Sequence, residues 1–359
     1  MKLAEARIGY AGYSRDFGAP GDRRRFAAYA GLKGLRIESA QAARPYDLAY
    51  ITYSSDLPAW IARKRRERDR LKLVFELIDG YFTQTNPVRR YLKGTARRLL
   101  GTDSGFSPDL RNTLISACQA ADAVVCSTEE QRETIRRYNR NVFLSFDHFG
   151  DELGAAKADY GRSGKLKVVW EGQSTTLPNL QVIREPLNDL RDKLELHVVT
   201  DRIIHRYFAR FGAYPAMRAL AGIECDQHFH RWDRATFSSD IIACDVAVIP
   251  IERANALWWA KPENKLVLLW KLGMPVLTTA TPVYRRVMAA AGMDMSCATA
   301  AEWGAQLERL ISAPPASLQA TGSACRDYAE RTYSQAEFVS RFDQALEAIG
   351  FSTSSISSR

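Results

Sequence analysis

Residues 246–279 read VAVIPIERANALWWAKPENKLVLLWKLGMPVLTT. Two short apolar runs, VAVIP at 246–250 and PVLTT at 275–279, flank a segment in which apolar residues recur with helical spacing over 261–272. Runs of this length, rich in β-branched residues, suit strands buried on both faces. A helix between them makes the pair parallel, because parallel strands need a crossover connection. The helix carries its own punctuation. Pro262 suits the first helical position, Glu263 offsets the positive end of the helix dipole, and Gly273 fits a left-handed exit.

The same alternation extends outward. LKVVW at 166–170 and LELHVV at 194–199 read as further buried strands, with a helical pattern over 180–194. The first half repeats the theme, with strands expected at 7–10, 48–53 (LAYITY), 71–78 (LKLVFELI), 123–127 and 142–145. Strands alternating with helices predict an α/β fold of two doubly wound, Rossmann-like domains. The polar, Gly- and Ala-rich GDELGAAKADYGRSGK places the boundary. The predicted division is a first domain over 1–150, an exposed linker over 151–165, a second domain over 166–350 and a disordered tail over 351–359.

Composition fits a packed globular protein: 359 residues, 46% hydrophobic and 25% charged. No stretch has the roughly 18 consecutive apolar residues of a membrane-spanning helix, and the opening MKLAEARIGYAGY turns polar too early for a signal-peptide core. A cytoplasmic location is expected. Six scattered cysteines with no CxxC spacing read as reduced thiols without chemistry. The net charge of +9 and pI near 9.3 imply an anionic partner. The excess is concentrated in RKRRERDR (63–70) and RRYLKGTARR (89–98), near Trp60, Tyr81, Phe82 and Tyr91. This reads as a surface for anionic membrane or as a solvated helix face. Nucleic acid is not expected, since no recognition-helix, RNA-binding or zinc-finger pattern accompanies the charge.

Ligands of open α/β sheets bind beyond the carboxyl ends of the strands. The loop after LKVVW, Glu171-Gly172-Gln173-Ser174-Thr175-Thr176, is small enough for its backbone amides to approach a phosphate. The helix start after VAVIP presents Lys261, Asn264 and Lys265, where two cations, amides and the dipole would together hold an anion. In the first half, Asp79 of LIDGYF follows a buried strand and serves either as a general base or as a turn cap with Gly80. Gly18 and Gly21 bracket a loop with Arg23–Arg25 that either closes over phosphate or is ordinary surface. His228 and His230 would share a face of a strand with Asp226 beside them, but the set lacks a third spaced histidine or cysteine. No metal site is assigned.

The run from VVWEGQSTTLPNL through LHVVTD and HFHRW to KPENKLVLLWKLGMPV resembles the donor domain of GT-B-fold glycosyltransferases. The first half resembles their acceptor domain through DFGAPGDRRRF, LIDGYF and ADAVVCSTEEQ. The resemblance implies two Rossmann-like domains facing a cleft. It implies an enzyme that moves a sugar from a nucleotide-sugar to a glycan or lipid-linked hydroxyl, as in bacterial cell-surface polysaccharide synthesis, with no bound metal or other cofactor. By the same resemblance, Gly172, Gln173, Ser174 and Thr175 approach the diphosphate together with Lys261, Glu263, Asn264 and Lys265. Arg231 and Trp232 lie near the base, Thr200 and Asp201 line the cleft, and Gly18, Gly21 and Tyr81 border the acceptor. Asp79, Lys261 and Lys265 would be catalytic. Two linked positions depart from the family. Leu268 stands where many GT-B enzymes carry the glutamate that binds the donor ribose, and Ala260 where its acidic partner falls; Glu263 would substitute from one turn earlier. That departure favours the alternative of a catalytically silent module that binds a nucleotide, glycan or protein.

Overall fold

The computed structural model describes residues 1–83, 86–99, 101–105, 109–205 and 212–354. The chain divides into two compact units. The first comprises Met1–His148, Ala260–Pro262 and Tyr333–Arg359, and the second Phe149–Trp259 and Glu263–Thr332.

The first unit is built on six strands: β1 (Ile8–Ala11), β2 (Ile37–Ser39), β3 (Leu48–Thr52), β4 (Lys72–Leu77), β5 (Ala123–Cys126) and β6 (Val142–Leu144). Their order is β2-β1-β3-β4-β5-β6, and every neighbouring pair is parallel. Every residue of β3 and β5 is buried, as their continuous apolar sequence requires of strands covered on both faces. Leu57, Trp60 and Ile61 of the helix Leu57–Glu67 and Leu110, Leu114 and Ala117 of the helix Leu110–Ala120 join Leu73 and Phe75 in one apolar cluster. Phe26 stacks on Tyr50 with ring centroids 3.8 Å apart, and Phe342 stacks on Tyr29 at 5.0 Å.

The second unit contains β7 (Leu166–Glu171), β8 (Leu194–Thr200), the short antiparallel pair β9 (Ile203–His205) and β10 (Ala213–Pro215), then β11 (Asp226–Arg231), β12 (Val246–Ile249), β13 (Val276–Thr279) and β14 (Ser296–Cys297). Its main sheet is parallel in the order β11-β8-β7-β12-β13-β14. Strand order reverses between β7 and β12, which puts a topological switch point at the carboxyl end of β7. Both sheets have the expected doubly wound architecture, and all the strands expected from apolar runs are found within a residue or so of their predicted ends.

Four expectations need correction. The helix Gln335–Glu347 belongs to the first unit, not to the second as its place in the chain suggested. Its Asp343 accepts hydrogen bonds from Tyr29 at 2.6 Å and Lys33 at 3.1 Å, and its Phe342 enters the aromatic stack of that unit. The start of the tail is not disordered: Phe351 and Thr353 are buried and Ser352 bridges to Lys2, while residues 355–359 lie outside the described set. The linker is not an exposed strap, since Lys157 N bonds to Leu272 O and Tyr160 is buried with its hydroxyl on Gly273 O at 2.6 Å. Helical periodicity overstated two lengths. The run expected over 180–194 is a 3-10 stretch Ser174–Ile183 followed by the helix Arg184–Asp189. The helix expected to open at Pro262 spans Asn264–Lys271, with Glu263 as its cap residue. Gly273 does adopt the left-handed exit, at φ 77°.

Candidate functional site

The carboxyl ends of β7, β8 and β11 in the second unit border a cavity of about 820 Å³ lined by Gln173, Ser174, Thr175, Asp201, Arg202, Ile203 and Arg231. Five of these residues were expected from sequence; Arg202 and Ile203 were not. Parallel strands in register deliver them together, because β7, β8 and β11 are consecutive in the sheet and end at one edge. Strand ends with adjacent turn amides and a guanidinium suit an anionic ligand.

Thr200 braces the loop rather than lining the cavity, and Ser174, which does line it, braces the loop as well. Thr200 is fully buried and its hydroxyl donates to Gly172 O, while Gly172 N bonds to Val199 O. Ser174 donates to Ile203 O at 2.9 Å. Trp232 stacks on Phe237 at 5.5 Å, and its backbone N–H donates to Thr200 O. The hydroxyls that made this loop look like a phosphate cradle are thus partly spent on its own shape.

Lys265 comes to the same loop. Its ammonium donates to Glu171 O and lies 4.7 Å from the centre of the Trp170 ring. A side chain on Gly172 would overlap that ammonium, so glycine here is a condition of the lysine's position. Asn264 is half-buried beside it, and Glu263 is buried. Leu268, where the resemblance would place a glutamate, is a buried core residue.

Asp79, Tyr81, Gly18, Gly21 and Lys261 belong to the first unit. Asp79 sits beyond β4, where Tyr81 N bonds to its carbonyl at 2.8 Å; the Tyr81 ring stacks on Tyr53 at 3.9 Å. A side chain on Gly80 would meet Ala260, so Asp79 and Lys261 are on adjacent stretches of this unit. The Gly18–Gly21 loop is not a loose flap. Its buried Asp22 accepts from Tyr13 N, Ser14 N, the Ser14 hydroxyl and the Tyr10 hydroxyl at 2.7–2.9 Å. Arg25 is not available to a phosphate there. It is fully buried, donating to Glu76 at 2.7 Å and Ser145 O at 3.3 Å, with Asp147 at 3.6 Å. Burial pushes the Glu76 and Asp147 carboxyls above the usual range, against the pull of Arg25. Sequence reasoning missed this cluster because its members are far apart in the chain.

The basic first-unit segments are in good part internally paired. Arg63 bonds Glu67, Lys64 bonds Asp122, Arg90 bonds Asp109 and Arg97 bonds Asp103. Trp60 is buried and so is not an interfacial aromatic. The helix Pro87–Leu99 does expose Val88, Tyr91, Leu92 and Leu99. Among the described residues, no helix is long and apolar enough to cross a membrane. All six cysteines are buried, and burial pushes the Cys126 thiol up to about 12, consistent with unreactive packing residues.

No protein-family model matches the chain, and no curated protein matches it. Solved structures do. S. aureus TarM matches with a TM-score of 0.58 and 11% identity, over 84% of this chain and 54% of that one. A TarM mutant in complex with Fondaparinux, alpha-GlcNAc-glycerol and UDP matches at 0.54 and 11%, over 84% and 55%. The N-terminal domain of Candida albicans trehalose-6-phosphate phosphatase matches at 0.52 and 10%, over 90% and 73%. The chain thus spans about half the length of the TarM structures. At this identity the likeness is one of fold, and the fold is GT-B, built from two Rossmann-like units.

Proposed function

We propose that the chain is a glycosyltransferase that moves a sugar from a nucleotide-sugar donor to a hydroxyl of a glycan or lipid-linked acceptor in cell-surface polysaccharide synthesis. The observation that carries this reading is the cavity at the carboxyl ends of β7, β8 and β11, where Gln173, Thr175, Asp201 and Arg231 converge in a GT-B fold. Arg231, expected near the base, would instead hold the donor's phosphates, since it lines the cavity beside Gln173 and Thr175. Lys265, with Lys261 on the approach to its helix, would stabilise the departing nucleoside diphosphate electrostatically, which spares the reaction a bound metal. Asp79 would take the proton of the acceptor hydroxyl as it attacks the anomeric carbon. The UDP and alpha-GlcNAc-glycerol of the TarM complex are ligands of the kind this reading requires. The exposed Val88, Tyr91, Leu92 and Leu99, set among cations, would rest on an anionic membrane at its cytoplasmic face and bring the enzyme to a lipid-linked acceptor.

Release of free nucleotide from UDP-, GDP-, ADP- and CMP-linked sugars, with and without polyprenyl-linked acceptors, tests the reading. One sugar nucleotide should turn over, and Asp79→Asn should slow it by at least about 100-fold, the range of a lost general base. Nucleotide binding without turnover of any donor would favour the silent module, for which the buried Leu268 speaks.

A further inference from the structure

Strands β8 and β11 pair in parallel with His197 opposite His228 and Glu195 opposite Asp226. Because alternate residues of a strand share a face, one side of this sheet edge carries Glu195 and His197 from β8 beside His228 and His230 from β11. Asp226, the carboxylate nearest these histidines in sequence, turns away to Lys165 at 2.8 Å. Glu195 takes its place. Its two oxygens lie 3.0 Å from His197 Nε2 and 3.6 Å from His228 Nε2. The His197 and His228 rings stack with centroids 4.6 Å apart, and one ligand atom from each of the three residues falls within 4.8 Å of the others. Around a tetrahedral ion with bonds of about 2.0–2.1 Å, neighbouring ligand atoms stand roughly 3.3 Å apart, so the set needs only small side-chain adjustments to close on one ion.

We propose that Glu195, His197 and His228 form a binding site for a divalent transition-metal ion of the zinc class, on the edge strand β11 and its neighbour β8 in the second unit's sheet. Two imidazoles and a carboxylate are donors that suit zinc and leave a fourth position for water. The groups behind the ligands favour the same assignment. His197 Nδ1 lies 3.0 Å from His230 Nε2, and His230 Nδ1 lies 3.6 Å from an Asp240 oxygen. With Nε2 on the metal, His197 carries its proton on Nδ1 and donates it to His230 Nε2. His230 then carries its proton on Nδ1, facing the Asp240 carboxylate. One neutral tautomer of each ring satisfies every contact, in the manner of outer-shell partners that orient metal-bound histidines. The His228 side chain is 48% exposed, so an ion can enter from solvent.

The site lies toward the amino ends of β8 and β11, whereas Arg231 at the end of β11 lines the cavity. Bound metal would pin the edge strand that carries Arg231 to its neighbour without joining the transfer chemistry. Calorimetric titration of the full chain, stripped with EDTA, with zinc chloride should give one equivalent bound and a rise in melting temperature. Both His228→Ala and Glu195→Gln should weaken binding at least about 10-fold. Melting of each variant in EDTA checks that it folds. Cobalt chloride should produce visible d–d bands with no thiolate charge-transfer band, which separates this site from the cysteines. No binding by the native chain, unchanged affinity in both variants, or a thiolate band would overturn the proposal.

Discussion

Arg25→Met should destabilise the first unit by about 3–5 kcal/mol, the range for breaking a buried ion pair from one side. Arg25 and Glu76 are each 0% exposed, and the guanidinium is the cation that faces both Glu76 at 2.7 Å and Asp147 at 3.6 Å. Methionine fills similar volume, so the loss is electrostatic rather than a cavity. Two buried carboxyls would remain side by side, and at least one would have to take up a proton or draw in water. Against a total stability of about 5–15 kcal/mol, the unit would be left marginal. Chemical denaturation followed by far-UV circular dichroism should show an early transition. Adding Glu76→Gln and Asp147→Asn to Arg25→Met should recover part of the loss. A cost below about 1 kcal/mol for Arg25→Met alone would mean that the cluster does not carry its charges as described.

Gly322→Ala should destabilise the second unit even though it replaces a helical glycine. Alanine ordinarily gains about 1 kcal/mol at such a position. Here the helix Pro315–Thr332 crosses the exit of the helix Asn264–Lys271, and a methyl on Gly322 would overlap both Gly273 O and the Tyr160 hydroxyl. Overpacking costs about 1–3 kcal/mol, and the displaced Tyr160–Gly273 hydrogen bond roughly 0.5–1.5 more, so the clash wins. The obstacle includes a backbone carbonyl. Combining Gly322→Ala with Tyr160→Phe should therefore not restore stability, whereas a clash with the hydroxyl alone would be relieved. A melting temperature equal to or above that of the native chain would show that the helix shifts freely.

How far the sequence could be read followed the range of the interactions. Strands buried on both faces, such as Leu48–Thr52 and Val246–Ile249, are continuous apolar runs and declare themselves. Gly273 did so as well, because its left-handed φ is a local requirement. Edge strand Asp226–Arg231 has exposed polar residues and no apolar run, so only its alternating histidines hinted at extended structure. The ladder from Glu195 to Asp240 needed the β8–β11 register, which no local pattern gives. The Arg25–Glu76–Asp147 cluster, and the return of the helix Gln335–Glu347 to the first unit, arise from contacts that no local pattern encodes. At the candidate site, the loop was singled out from its place after a buried strand, whereas Arg231 entered only through the family resemblance, because its strand has no apolar run. The roles of Thr200 and Ser174 were not legible, because a hydroxyl suited to phosphate is equally suited to a neighbouring carbonyl.

Nucleotide-dependent thermal stabilisation tests the donor site most directly. The native chain, Arg231→Ala and the Lys261→Ala, Lys265→Ala double variant would be melted with UDP, GDP, ADP and CMP. A ligand at 100 times its Kd adds about 2.7 kcal/mol, well above detection. One nucleotide should raise the native melting temperature, and both variants should lose most of that shift. No shift with any nucleotide, or the same shift in all three proteins, would contradict a donor site at the carboxyl ends of these strands.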